Sequence, residues 1–190
     1  MFPQLPPPKD LYSGYPFQPI PKLSVLSKPK SRLVNEETGV HLAWATGILQ
    51  AFFMELFTPF EQFVFGGRLK TRVRGVFRIS GEEYEVDALL EADGYFESQE
   101  RLVVLEAKQS RRNQFCTDFH IHQLLLPLML VRGITVKKTS GIFLDYTIAR
   151  TEGHAEVNYR LYHFDVPGTG AEIDPFSYKL DKSKQYKITI

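Results

Sequence analysis

One cysteine, Cys116, stands in a chain of 190 residues, so no internal disulfide framework holds it together, and a reducing compartment suits it. Nowhere does the sequence offer the ~18 uninterrupted apolar residues of a membrane span. The start, MFPQLPPPKD, has neither the basic nor the apolar segment of a signal peptide. A cytoplasmic, intracellular protein with no membrane partner is the expectation. Charge of one sign is also lacking: the net charge is +1, which by itself gives no argument for nucleic acid. No G-x-S-x-G element and no cysteine in a catalytic setting occur, which leaves a serine or cysteine nucleophile unsupported. Glycine-rich phosphate loops and solenoid repeats are absent too. Cys116, His120 and His122 lie close in sequence, but structural zinc takes four ligands and no second cluster is visible.

What is present is an ordinary globular composition, 43% hydrophobic and 24% charged. Residues 1–34 carry eight prolines with little periodicity and read as an extended arm, in which Tyr12, Tyr15 and Phe17 suit docking. Residues 35–190 read as one domain. Asn35 to Phe57 has a good N-cap, acidic residues in the first turn and apolar residues at helical spacing, which predicts one long helix. Phe60 to Gly67 reads as a connection or a short helical turn closing at Gly66-Gly67. Leu69 to Ile79 alternates apolar and basic residues, as a half-exposed strand does. Tyr84 to Glu91 is the next strand, Asp93-Gly94 a bend, and Leu102 to Ala107 a buried strand. Together they predict an antiparallel meander. Asn113 to Val131 returns to helical character, with Pro127 expected to kink or shorten it. Thr139 to Thr147 and Glu156 to Asp165 read as two more strands, and Gln185 to Ile190 as strand-like but unplaced. The fold class is α/β (α+β), a mixed central sheet flanked by helices.

Charged residues inside apolar strand sequence are costly to bury unless they pair or hold a metal. Asp87 lies on one predicted strand, and Glu106 and Lys108 share one face of another. The sequence between Asp87 and Glu106 is long enough for two strands and the loop Asp93 to Arg101, so the three can converge at a sheet edge. Paired carboxylates suit Mg²⁺, with Mn²⁺ as a substitute, and the Ala107 carbonyl is a further possible ligand. Such an ion acidifies water and neutralises a scissile phosphate, while the lysine orients the water or stabilises developing charge. A surface salt-bridge ladder is the bland alternative, against which the apolar run LVVL before Glu106 counts.

Asp87 followed by Glu106-Ala107-Lys108 at the end of an apolar strand resembles the D…ExK signature of the restriction-endonuclease-like, PD-(D/E)XK nuclease superfamily. The element order α-β-β-β-α-β over roughly residues 35 to 147 is similar to that fold's core. The resemblance implies that Asp87 and Glu106 bind Mg²⁺ and that Lys108 assists attack on a phosphodiester. It also implies a glutamate on the first helix, best matched by Glu36, then Glu37, then Glu55, and a glutamine after the signature strand, matched by Gln123. Val86 stands where the superfamily's name-giving proline would be. The helix dipole accounts for Glu36 equally well, and a satisfied core amide for Gln123. Arg111 and Arg112 are nucleic-acid backbone candidates that solvent exposure would also explain, and His120 and His122 suit a cleft or a phosphate contact. The implied activity is Mg²⁺-dependent DNA endonuclease action. A non-cleaving nucleic-acid-binding or assembly module with the same fold is the alternative. Cutting both strands with one site per chain favours a homodimer, and a subunit of a larger complex is the other arrangement.

Overall fold

A computed structural model describes residues 36–57, 61–79, 82–110, 119–151, 154–165 and 178–189. The proline-rich arm, Asn35, Arg111, Arg112 and Cys116 lie outside the described residues. Two short helices come first, α1 (Glu36–Ala45) and α2 (Ile48–Leu56). The single long helix expected there is broken at Thr46-Gly47. Thr46 Oγ1 donates back to the Leu42 carbonyl at 2.8 Å, and Gly47 takes φ 78, a conformation that glycine adopts at no steric cost.

Three strands follow, β1 (Val64–Ile79), β2 (Glu82–Glu97) and β3 (Arg101–Gln109), paired antiparallel as a meander. Helix α3 (His122–Ile134) then crosses over to β4 (Lys138–Thr151), which pairs parallel with β3. Strands β5 (His154–Asp165) and β6 (Lys179–Thr189) complete a six-stranded mixed sheet in the order β1-β2-β3-β4-β5-β6. The strand-like tail is thus an edge strand beside β5. Pro127 does not end α3, which runs on to Ile134. Proline has no N–H to give the Gln123 carbonyl, so that carbonyl loses its helical donor beside the cleft described below.

Side chains of β3 alternate between two cores. Val103, Leu105 and Ala107 pack with Val40, Ile48 and Phe52 of α1 and α2. Val104 packs on the other face with Leu124, Leu128 and Phe143, under α3. Burial on both faces explains why β3 reads as a continuous apolar run. The result is a mixed α+β architecture with helices on both faces of the sheet. Among the described residues no helix is long and apolar enough to cross a membrane.

The sheet does not stay closed along its length. β2 pairs with β3 only from Gly94↔Leu105 to Glu97↔Leu102. Among the described residues its earlier half pairs with β1 alone, out to Ile79↔Glu82. At the point of separation the register slips, with Gly67 opposite Tyr95 but Leu69 opposite Ala92. One extra residue on β2 therefore forms a bulge at Asp93-Gly94, and bulges bend a strand and re-aim its side chains. From there β1 and β2 leave the sheet as a two-stranded ribbon.

Candidate active site

The split between β2 and β3 is where the charged residues gather. The Ala107 N–H has lost a β2 partner, and Asp93 Oδ2 accepts it at 3.0 Å. A strand residue turns its N–H and its carbonyl to the same side, so the Ala107 carbonyl faces this gap as well. Glu106 and Lys108 flank Ala107 and project to its opposite side by strand alternation. Lys108 Nζ lies 3.6 Å from Glu106 Oε1 and 3.3 Å from Glu36 Oε1. Asp93 and Glu106 are each only 7% exposed, so two carboxyl groups are buried beside one ammonium.

Their acidities record that crowding. Burial, then the nearby Asp93 charge, pushes the Glu106 carboxyl up to about 8, against the opposing pull of Lys108. Burial also raises the Asp93 carboxyl, opposed by its hydrogen bond from Ala107. Burial acts to lower Lys108, but the charges of Glu36 and Glu106 outweigh it and hold the ammonium proton more tightly than usual. Lys108 is therefore a fixed positive charge and a hydrogen-bond donor, not a neutral amine.

These groups form the floor of a cleft of about 320 Å³. Arg68, Leu89 and Glu91 of the ribbon make one wall, and His122, Gln123 and Pro127 of α3 the other. Burial and the neighbouring His120 lower the His122 pKa. The two imidazoles stack with centroids 5.5 Å apart. Gln123 Oε1 accepts from the His120 N–H at 3.5 Å, closing the start of α3.

Asp87 is not part of this cluster, contrary to the sequence reading. It lies on the ribbon opposite Arg74, its side chain 47% exposed, in ion pairs with Arg72 at 2.9 Å and Arg74 at 3.2 Å. The carboxylate that faces Glu106 is Asp93, six positions later. The physical reason is that Asp93-Gly94 is a bulge inside β2 and not a bend, so the strand runs on to Glu97. Among the three helix glutamates the geometry is decisive. Glu36 reaches Lys108, Glu37 pairs with His41 at 3.7 Å, and Glu55 pairs with Lys182 and Lys184 of β6. Glu91 was not singled out in the sequence, whereas Arg68 opens the basic run RLKTRVRGVFR, a stripe of the kind that binds phosphate backbones, and alternation places it on the face that bears Lys70.

Among the described residues no group of three or more His, Cys, Asp or Glu side chains converges on one metal position. Two carboxylates completed by waters is nonetheless an arrangement that Mg²⁺ takes. The donor chemistry of Asp93 and Glu106 fits a hard cation, since both are buried carboxyls whose mutual repulsion a divalent ion would relieve.

A family model described as Domain of unknown function (DUF6997) matches residues 16–187. No curated protein and no solved structure matches the chain.

Proposed function

The chain belongs to the DUF6997 family, and for it we propose Mg²⁺-dependent hydrolysis of phosphodiester bonds in DNA on a restriction-endonuclease-like core. The observation that supports this reading is the convergence of Asp93, Glu106, Lys108 and Glu36 where the sheet opens. Asp93 takes the role that the sequence signature suggested for Asp87. Asp93, Glu106 and the Ala107 carbonyl would hold the ion, with Mn²⁺ able to replace it. When bound, the ion supplies charge neutralisation on the scissile phosphate and makes water more acidic.

The chain's own residues do the rest. Lys108, kept protonated, donates hydrogen bonds to the attacking water or to a phosphoryl oxygen as negative charge develops there. The water oxygen adds to phosphorus and gives up one proton to solvent, the bond to one ester oxygen breaks, and that oxygen takes a proton from solvent as it leaves. Glu36 acts through Lys108 by fixing its ammonium, so it is a positioning residue. Gln123 and His122 stand across the cleft, where an amide and a neutral imidazole can orient water or bind phosphate.

Lys108→Ala is expected to lower cleavage of plasmid and single-stranded DNA in Mg²⁺ or Mn²⁺ by about 10²-fold or more. Equal activity in both proteins removes this mechanism. The near-neutral net charge favours a second reading, a binding or assembly module that does not cut. Metal titration separates the two, because such a module has no need of an ion at Asp93 and Glu106.

A further inference from the structure

Past Asp93, the ribbon of β1 and β2 pairs with no other strand among the described residues. On β1, Arg68, Lys70, Arg72 and Arg74 occupy alternate positions and so share a face, with ~6.6 Å between neighbours and ~20 Å from end to end. They are held in two pairs. Glu91 bridges Arg68 and Lys70 at 2.6 Å each, and Asp87 bridges Arg72 and Arg74. Each pair has two cations and one carboxylate, so each keeps a net positive charge. Exposure of the four side chains rises away from the cleft, from 42% at Arg68 through 57% and 64% to 69% at Arg74. The next pair outward, Val76 opposite Glu85, interrupts the run of basic positions. Its inner end, Arg68, lines the cleft itself. Exposed ion pairs contribute only ~0.2–1 kcal/mol each, so the stability of the fold does not account for this arrangement.

We propose that the row Arg68, Lys70, Arg72 and Arg74 is a track for the phosphodiester backbone of a nucleic-acid duplex leading into the cleft. The inference rests on the phosphodiesterase reading and deepens it, since it names the face along which a duplex approaches the cleft. A two-stranded ribbon is an element that the major groove of a duplex admits. The bridging carboxylates keep the cation heads upright at a spacing comparable to that of successive phosphates along a strand. Phosphate oxygens then compete with Glu91 and Asp87 for the outer N–H donors.

The test is a titration of a short labelled DNA duplex by fluorescence anisotropy, in EDTA and at several salt concentrations. Arg72→Gln with Arg74→Gln is expected to weaken binding about ten-fold or more and to reduce the salt slope by about 2. Asp87→Asn is expected to act in the opposite direction and tighten binding several-fold, because it frees two guanidinium groups. A ribbon that merely unravelled would weaken binding in both variants, so the second variant separates grip from fold. Unchanged affinity and slope in the double variant, weaker binding by Asp87→Asn, or no measurable binding by the parent protein overturns the track. Since no metal is present, the result is independent of cleavage: a protein that cuts but lacks the track, and one that has the track but does not cut, are told apart.

Discussion

Glu106→Gln is expected to lower Mg²⁺-dependent cleavage by about 10³-fold or more, because it removes one of the two buried carboxylates that would hold the ion. The same change is expected to stabilise the metal-free protein, increasingly so as pH rises. The Glu106 carboxyl is pushed up to about 8 in the folded chain, from 4.5 without the fold's influence. A carboxyl with a raised folded pKa contributes stability that is fully present below pH 4.5 and is lost as pH climbs through about 8. Glutamine carries no charge to bury, so it escapes that loss. At about 1.4 kcal/mol per pKa unit the gap at pH 9 is on the order of a few kcal/mol, and it closes near pH 4. Asp93, also raised, adds to the wild-type loss in the same direction. Thermal melts in EDTA from pH 4 to pH 9 check this. A wild-type Tm that stays level across that range, or a variant less stable than wild type at pH 9, contradicts the description of Glu106. Adding Mg²⁺ at pH 9 should raise the wild-type Tm and leave the variant's where it was, because only the wild type keeps both proposed ligands.

Gly39→Ala is expected to destabilise the fold, although alanine is the better helix former by ~1 kcal/mol. A Cβ at residue 39 would overlap the Tyr146 ring, which is only 2% exposed and stacked on Tyr159. The Gly39 carbonyl also accepts from the Tyr159 hydroxyl at 3.4 Å, which ties α1 to the sheet. The glycine thus lets α1 lie close enough for Glu36, one turn earlier, to reach Lys108. Overpacking a filled core costs ~1–3 kcal/mol, and relieving it here means moving α1 outward. Urea denaturation should therefore show a net loss of ~1–2 kcal/mol. In a Tyr146→Leu background the added methyl should be neutral or mildly stabilising, since the ring it meets is gone. Equal losses in both backgrounds would show that Tyr146 is not what confines α1.

The sequence made the elements legible where one physical signal dominated. The apolar run LVVL identified β3, the alternating segment after Leu69 identified β1, and the strand-like runs Thr139 to Thr147 and Glu156 to Asp165 identified β4 and β5. Glu106 and Lys108 were readable because two charges directly after a doubly buried strand are hard to explain as surface. Glu36 was readable only as one of three glutamates, and distance along the chain could not choose among them. The error lay at Asp93-Gly94. Aspartate followed by glycine is strong turn chemistry, and local preference pointed to a bend that would place Asp87 opposite Glu106. The actual strand carries the pair as a bulge, a feature set by register with β1 and visible only once both partners are in place. Strand β6 could not be placed because only Tyr186 and Ile188 of its described residues are buried, with Lys187 between them. Such an edge strand lacks the apolar pattern that would announce it.

On the proposed function, Asp93 and not Asp87 would complete a cation site with Glu106. Mg²⁺ titration calorimetry on wild type, Asp93→Asn and Asp87→Asn tests it directly. The account predicts that Asp93→Asn weakens Mg²⁺ binding by about ten-fold or more, while Asp87→Asn stays within about two-fold of wild type. Loss of affinity in Asp87→Asn with retention in Asp93→Asn would contradict it.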